Sequence, residues 1–590
     1  MAPFTGLRDF VTTLERQGEL VRITAPVDPN LEISELVQRV VRQDGPALLF
    51  ENVNGAGFPL LMNTFGSMKR IELALGRHPQ EIGQELVSAI QGLTPPTPKK
   101  LWQHKEFLAR ARHMRPATTR LAPVQQVVAE PRLDLLPAIT SWPRDGGPFI
   151  TFGPTLTEDP RSHKRNYGLY RLQVYDRRTT GMHWQSMKGG RAHHWEAERM
   201  GQDLPAAVVL GGDPLLMLAA IMPLPEDMDE LTFVGLLRGA PTRFARGREV
   251  PLMVPADAEF ILEGYVASGE RRTEGPFGDH FGHYSEAEQF PVFHVKTMTH
   301  RIGAIYPASV VGKPPQEDKF MGIAVGEMIG PLIKVVNPNI VDLFASDAAG
   351  FHNLLVGACK ERHPKEVLKT ALSLLGTGQL ALTKMVVLLR EDANPRDFRT
   401  MLRELWYRWE PRERFILLPI GALDTLDYTS FKFHVGAKAI FDAAGEPVTS
   451  EPPPTSVHDP AGFDPRVRGH KLLDGGFLVV QVETHAREVL EGLVRWDGLG
   501  SVKFVVAVSP DVDMDDEENL VWGIWTRFDP ALDFVFAEQG FEGARPVYGG
   551  RLGINATWKE GYPLPLTMPD EVVRLVDRRW GEYFPVGPLR

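Results

Sequence analysis

The chain has 590 residues, 43% of them hydrophobic and 24% charged, a balance that marks a folded protein with volume for roughly three to four domain-sized units. Its net charge of −10 and pI of about 6.0 leave no global basic field, which excludes nucleic acid as a natural partner. No run of about eighteen apolar residues occurs, the start has no basic n-region, and the single cysteine, Cys359, cannot form an internal disulfide. A reducing, cytoplasmic setting is therefore expected, with any membrane contact peripheral, and Cys359 reads as part of a helix.

Leu7, Phe10, Val11 and Leu14 repeat at helical spacing, as do Ile33, Leu36, Val37 and Val40, while Ala47 to Phe50 reads as a short buried strand. This α/β texture runs to a proline cluster at 94–100, whose prolines oppose helix and suggest a boundary. From about Leu121 to Val311, short β-rich runs alternate with Gly, Pro and Asp clusters, which predicts an antiparallel sheet or small barrel. Beyond Lys313-Pro314-Pro315 the helical period returns at Ile323, Val325 and Ile329.

The C-terminal region repeats itself. Lys384, Trp406, Arg408, Pro411 and Phe415 recur 119 positions later as Lys503, Trp525, Arg527, Pro530 and Phe534, and Asp392 falls on Asp511 in the same register. Each copy reads as strand, acidic loop, amphipathic helix and strand, so two pseudo-symmetric subdomains are expected, joined by an exposed proline-rich linker at 447–454. Matching Trp, Arg and Pro can preserve packing without forming a site.

The residues able to do chemistry fall in the central region. Asn166-Tyr167-Gly168-Leu169-Tyr170-Arg171 enters a strand whose alternation sends Leu169 and Arg171 to one face, where a guanidinium can grip a carboxylate; alone, Arg171 is as well explained by a surface ion pair. Met182-His183-Trp184-Gln185-Ser186-Met187-Lys188-Gly189-Gly190 places an ammonium beside bare glycine amides, a plausible phosphate grip. His183, His193 and His194 are candidate metal ligands or ordinary hydrogen-bonded histidines. Glu230 closes an acidic run before the apolar stretch Leu231 to Leu237, read as a strand, and could join Asn166 around a hard divalent cation. Glu274-Gly275-Pro276-Phe277-Gly278-Asp279-His280 holds two acids in a Gly/Pro turn, a stiff loop able to carry both to a ligand or simply a polar hairpin tip.

Together, Asn-x-Gly-x-Tyr-Arg at 166–171, Met-His-Trp-Gln-x-x-Lys-Gly-Gly at 182–190, Glu230, Glu-Gly-Pro-Phe-Gly-Asp at 274–279 and Gly-Lys-Pro-Pro at 312–315 closely resemble the UbiD decarboxylases. That resemblance implies a reversible (de)carboxylase of aromatic or α,β-unsaturated acids that uses prenylated FMN supplied by a separate flavin prenyltransferase. It implies Asn166, Glu230 and His193 (or its neighbour His194) as ligands of a Mn²⁺ that bridges to the flavin phosphate, with K⁺ a further ion. It also implies cofactor contacts from Leu169, Tyr170, Arg171, His183, Trp184, Gln185, Lys188, Gly189 and Met222, and a catalytic trio of Arg171, Glu274 and Asp279. In that reading Arg171 holds the substrate carboxylate, Glu274 stays ionised, and Asp279 delivers the proton, its pKa raised by burial near a second acid.

The expected fold is α+β: an N-terminal α/β domain over 1–115, a central split β-barrel binding prenylated FMN and Mn²⁺ over 116–330, and a C-terminal α/β region over 331–590, duplicated at about 383–445 and 501–563. A homo-oligomer is implied, and quinone biosynthesis, on a polyprenyl-hydroxybenzoate or dihydroxynaphthoate, is the first-choice role, ahead of a phenolic or heteroaromatic acid. The acidic run Asp515 to Glu518 departs from the family pattern, so no substrate contact carries over from the C-terminal region. A flavin oxidoreductase on the same barrel and a non-catalytic binding protein stand as alternatives; neither has a use for the trio.

Overall fold

The computed structural model describes residues 4–185, 189–222, 224 and 229–585. It divides into two compact units, one formed by Met1–Asp279, His283–Met328 and Pro565–Arg590, the other by His280–Gly282 and Ile329–Leu564.

The first unit opens with helix Leu7–Arg16, which buries Leu7, Phe10, Val11 and Leu14, the four positions that the 3.6-residue period selects. Helix Glu32–Arg42 buries Ile33, Leu36, Val37 and Val40 in the same way. Beside them strands Leu20–Ile23, Ala47–Phe50 and Leu60–Met62 form a sheet completed by Tyr306–Pro307, which pairs parallel to Leu60–Met62. The terminal helix Asp570–Tyr583 closes this region, with Arg579 paired to Glu32 and Arg39 to Asp577. The proline cluster does break the chain after helix Pro79–Gly92, but Pro98 then starts a new helix, Pro98–Gln103. A proline is tolerated at the first helical position because its missing N–H has no partner there anyway, and the Thr97 hydroxyl caps the turn by accepting from Lys100 N.

The larger sheet of this unit runs in the order Val127–Ala129, Glu288–His300, Phe260–Glu274, Leu204–Leu210, Phe149–Glu158, Arg165–Gln173, with antiparallel neighbours throughout, and Thr179–Gly181 pairs off this path with Glu288–His300. It forms no closed barrel among the described residues. Gly264 sits at a register shift where a Cβ would lie 1.9 Å from the His294 carbonyl oxygen, so only glycine allows the two long strands to approach.

Two sequence expectations fail here for physical reasons. Leu231 to Leu237 is not a strand; it belongs to helix Glu230–Arg238, capped by the Asp229 carboxylate on Leu231 N and ended by Gly239 at φ 69°. Cys359 lies not in a helix but at the end of the buried strand Leu354–Cys359. Both are continuous apolar runs with no period to separate helix from strand.

The second unit contains two five-stranded sheets of the same order. The first runs Ile340–Ala345, Leu354–Cys359, Met385–Arg390, Val435–Ala443, Phe415–Ala422; the second runs Val467–Leu473, Phe477–Val482, Phe504–Val508, Arg545–Ala556, Phe534–Glu542. Helices Phe398–Arg408 and Glu517–Trp525 begin 119 positions apart, as do Pro411–Arg414 and Pro530–Asp533. One hydrophobic core contains residues of both copies. Phe415 packs against its own counterpart, Phe534, with ring centroids 6.2 Å apart, as residues beside a local twofold axis do. The flanking lysines both reach the opposite copy: Lys503 Nζ donates to the Trp409 carbonyl at 2.9 Å, and its counterpart Lys384 lies 4.9 Å from the ring of Phe528, the counterpart of Trp409. The repeated Trp, Lys and Phe positions are thus packing positions of an intramolecular pair.

Phe415→Ala would empty the centre of that pair and should cost about 3–5 kcal/mol, read as a lower midpoint in denaturant titration; an unchanged midpoint would show that the copies are stable independently of one another.

Candidate active site

Arg171 lies on strand Arg165–Gln173, Glu274 ends strand Phe260–Glu274, and Asp279 follows the short strand Phe277–Gly278. Although distant in sequence, the three side chains meet. Arg171 Nε donates to Glu274 Oε1 at 3.1 Å, Nη1 pairs with Asp279 Oδ2, and Nη2 donates to the Ser285 hydroxyl at 3.0 Å. The guanidinium also sits 4.5 Å from the Phe277 ring centroid, a cation–π contact that supports its plane. Side-chain exposure is 9% for Arg171, 0% for Glu274 and 10% for Asp279, so these charges interact with little water between them.

His183 completes the group, its Nδ1 lying 2.9 Å from Glu274 Oε1 and its ring 4.2 Å from Phe290. Burial, followed by the Arg171 charge, lowers the imidazole pKa, which favours a neutral ring donating from Nδ1 to the carboxylate. Burial pushes the Glu274 carboxyl up, yet His183 and Arg171 outweigh it and hold the pKa below the usual glutamate value. Glu274 is therefore fixed as a carboxylate, and its Oε2 is buried without a hydrogen-bond partner among the described residues.

The acid loop is pinned along its length. Gln173 accepts from Gly275 N at 2.8 Å, Gly146 N donates to the Pro276 carbonyl at 2.8 Å, and Asp145 Oδ1 accepts from Gly278 N at 2.8 Å. Gly275 adopts φ 93°, where a side chain would be strained.

The candidate metal ligands gather at the other end of the same strand. Asn166 pairs across the ladder with Thr157, whose hydroxyl lies 2.9 Å from His193 Nδ1, leaving Nε2 of that ring for another partner. Glu230 opens its helix and accepts from Tyr167 N at 3.1 Å. Burial raises the Glu230 carboxyl to about 7, and no basic side chain pairs with it among the described residues. A half-buried carboxyl with no basic partner among the described residues, at the same end of the strand as an amide oxygen and an imidazole, is a donor set that suits a divalent ion. No group of three or more His, Cys, Asp or Glu able to hold a metal ion occurs among the described residues, so a candidate set here depends on the Asn166 amide. His194 is fully buried against Trp184, with Nδ1 3.4 Å from Arg191 Nη1.

Near these candidate ligands lie several of the residues expected to contact a cofactor. The Tyr170 hydroxyl accepts from Gly190 N at 3.1 Å and from Asn166 Nδ2 at 3.2 Å, and its ring meets Trp184 edge-on at 6.3 Å. A Cβ on Gly189 would lie 2.2 Å from Asn166 Oδ1 and one on Gly190 2.6 Å from Trp184 Nε1, so the glycine pair is required for this approach. Leu169 N donates to the Ala220 carbonyl at 3.0 Å, and Leu169 and Met222 share an apolar cluster. Gln185 is half-buried beside Trp184, and Lys188 lies outside the described residues.

Sequence reasoning did not single out Ser285, Thr157, Gln173 or Asp145. Each is an ordinary polar residue with no motif of its own, and only the strand registers show what it supports.

Family comparison accounts for the same blocks. The 3-octaprenyl-4-hydroxybenzoate carboxy-lyase (UbiD) models match three parts of the chain: the N-terminal domain at 11–90, the Rift-related domain at 115–314, and the C-terminal domain at 319–443 and 472–556, one stretch in each copy. A Chlamydia pneumoniae protein named as one of the subunits of a 4-hydroxybenzoate decarboxylase is 37% identical over 587 residues, 98% of either chain. The closed form of vanillic acid decarboxylase from Sedimentibacter hydroxybenzoicus superposes with a TM-score of 0.66 at 25% identity, covering 78% of this chain and 96% of that one. An evolved dimeric form of the UbiD-class enzyme HmfF from Pelotomaculum thermopropionicum, in complex with prFMN, shares the fold with a TM-score of 0.63 at 23% identity, covering 78% and 98%. With models matched along most of its length and a relative of nearly equal span, the chain belongs to the UbiD family of carboxy-lyases.

Proposed function

We propose that this carboxy-lyase decarboxylates, reversibly and without net oxidation, an aromatic or α,β-unsaturated acid with the aid of prenylated FMN and Mn²⁺. The observation that carries the reading is the single buried guanidinium shared by Glu274 and Asp279. Decarboxylation leaves an electron pair on carbon, so the reaction needs an electron sink and then a proton at that carbon. Bound prenylated FMN would supply the sink; Asn166, Glu230 and His193 would hold the metal at its phosphate, with Leu169, Tyr170, His183, Trp184, Gln185, Lys188, Gly189 and Met222 around it. No flavin oxidoreductase activity is needed to account for the trio, and family membership favours the lyase over that alternative.

The roles within the trio follow from its charges. A guanidinium has five N–H donors, and Arg171 spends one each on Glu274, Asp279 and Ser285. Two remain, enough to receive a substrate carboxylate in parallel. Glu274, kept ionised by Arg171 and His183, cannot serve as the acid. Proton delivery to the product carbon then falls to Asp279, which the pinned loop holds in place.

For the substrate we favour a polyprenyl-hydroxybenzoate or dihydroxynaphthoate in quinone biosynthesis. The name of the Chlamydia pneumoniae relative supports a second reading, a free phenolic acid. Enzyme produced alongside a flavin prenyltransferase and offered both classes will separate them, since turnover of short phenolic acids alone would overturn the first choice. No helix among the described residues is long and apolar enough to cross a membrane, so a prenylated substrate would be met at a membrane surface.

Asp279→Asn should retain metal and flavin yet lose net decarboxylation by at least about 100-fold, the scale of a general acid's contribution; near-normal turnover would contradict the assignment. Asn166→Ala and Glu230→Gln should instead lower Mn²⁺ and flavin occupancy together, read by elemental analysis and absorbance of the purified protein. Full occupancy in either variant would remove that residue from the ligand set.

A further inference from the structure

The Asp145 carboxylate sits where three backbone amides converge. Oδ2 accepts from Ser141 N at 3.0 Å and Trp142 N at 2.9 Å, closing its own turn, while Oδ1 accepts from Gly278 N at 2.8 Å, 133 residues away and next to Asp279. The surrounding residues reinforce that link. Gly146 N reaches the Pro276 carbonyl, Gln173 joins the Gly146 carbonyl at 2.6 Å to Gly275 N at 2.8 Å, and Trp142 Nε1 donates to the Val311 carbonyl at 2.8 Å. The indole leaves no room beside the loop, since a Cβ on Gly278 would lie 2.1 Å from Trp142 Cδ1.

Only an ionised carboxylate answers three amides without offering a donor of its own. Its partial burial is costly, and the carboxyl is raised to about 6 despite the three amides and the Arg171 charge. An amide side chain would close the local turn with its oxygen but would turn a donor toward Gly278 N. The cost of a buried acid is intelligible if both oxygens must accept.

We propose that Asp145 is a positioning residue for the reaction: through Gly278 N it sets where Asp279 stands against Arg171, without itself touching substrate or cofactor. This rests on the assignment of Asp279 as the acid. The Arg171 contacts restrain the Asp279 side chain, and the Asp145 contact restrains its backbone; a proton donor is effective only when both are placed within a few tenths of an ångström.

The test uses holoenzyme made with a flavin prenyltransferase. Asp145→Asn should leave flavin and Mn²⁺ occupancy unchanged and KM within about twofold, while kcat falls at least about tenfold and amide hydrogen exchange accelerates in the 274–283 peptide. A kcat within twofold of the parent enzyme would overturn the proposal, as would a loss of kcat that merely follows loss of flavin. If the variant does not fold, the parent protein decides: the Gly278 amide must be strongly protected from exchange, and rapid exchange there would overturn the proposal. Exchange at Gly278 does not depend on the chemical role of Asp279, so failure of the clamp can be told from failure of the acid assignment, which active Asp279→Asn alone would show.

Discussion

The site depends on burying one guanidinium and two acidic side chains together. An isolated buried charge costs several kcal/mol, so Glu274, with no side-chain exposure, is tenable only while Arg171 and His183 both stand beside it. That requirement reaches back into the sheet. Arg171 is placed by pairing of Arg165–Gln173 with Phe149–Glu158, Glu274 by pairing of Phe260–Glu274 with Glu288–His300, and His183 follows Gly181, which is in register with Val292. A slip of one residue in the first of these ladders would turn Arg171 to the opposite face and leave Glu274 with the imidazole alone. The electrostatics of the trio and the register of the sheet are therefore one constraint.

The duplicated unit answers a different need. Each copy has a five-stranded sheet with an apolar face too large to leave in water, and the second copy supplies the cover for the first. Phe415 against Phe534 marks the centre, and the lysines at equivalent positions, Lys384 and Lys503, turn inward toward the opposite copy. The apolar residues shared by the repeats are accordingly those of the common core, whereas the ion pairs of the shared acids differ: Asp392 pairs with Arg390, but Asp511 with Arg527. The acidic run near Asp515 belongs to this divergent class, for Asp515 pairs with Lys471 and Glu517 with Arg399, both within the unit.

The parts of the fold that could be read from the sequence were those with a clear period or a fixed motif. Helices Leu7–Arg16 and Glu32–Arg42 show an apolar stripe, and the glycines at 189 and 190 are needed where Asn166 and Trp184 come close. Leu231–Leu237 and the strand ending at Cys359 were misread because a run that is buried all round has no polar side to reveal its period. The cap at Asp229 was a local signal that could have identified the helix. Arg171, Glu274 and Asp279 could be paired in advance because a family motif joins them, whereas Ser285, Thr157 and Asp145 act through tertiary neighbours, and no local pattern distinguishes them from other polar residues.

Asn166 and Arg171 stand five residues apart on one strand, and in the proposed reading this separation would keep metal binding apart from proton transfer. Five residues of extended chain span about 17 Å, and a unit charge at that distance acts with about 1 kcal/mol at an effective dielectric of 20, against about 5 kcal/mol for one 3 Å away. Charge gathered near Asn166 and Glu230 therefore shifts the protonation of Glu274 far less than its own contacts with Arg171 and His183 do. The protonation of the trio is set locally, by one guanidinium, one imidazole and the loop that brings Asp279 to them. In the proposed reading, anchoring could be as strongly charged as a phosphate and a metal require without disturbing the proton balance at the reacting carbon, and the strand would serve both tasks by keeping them apart.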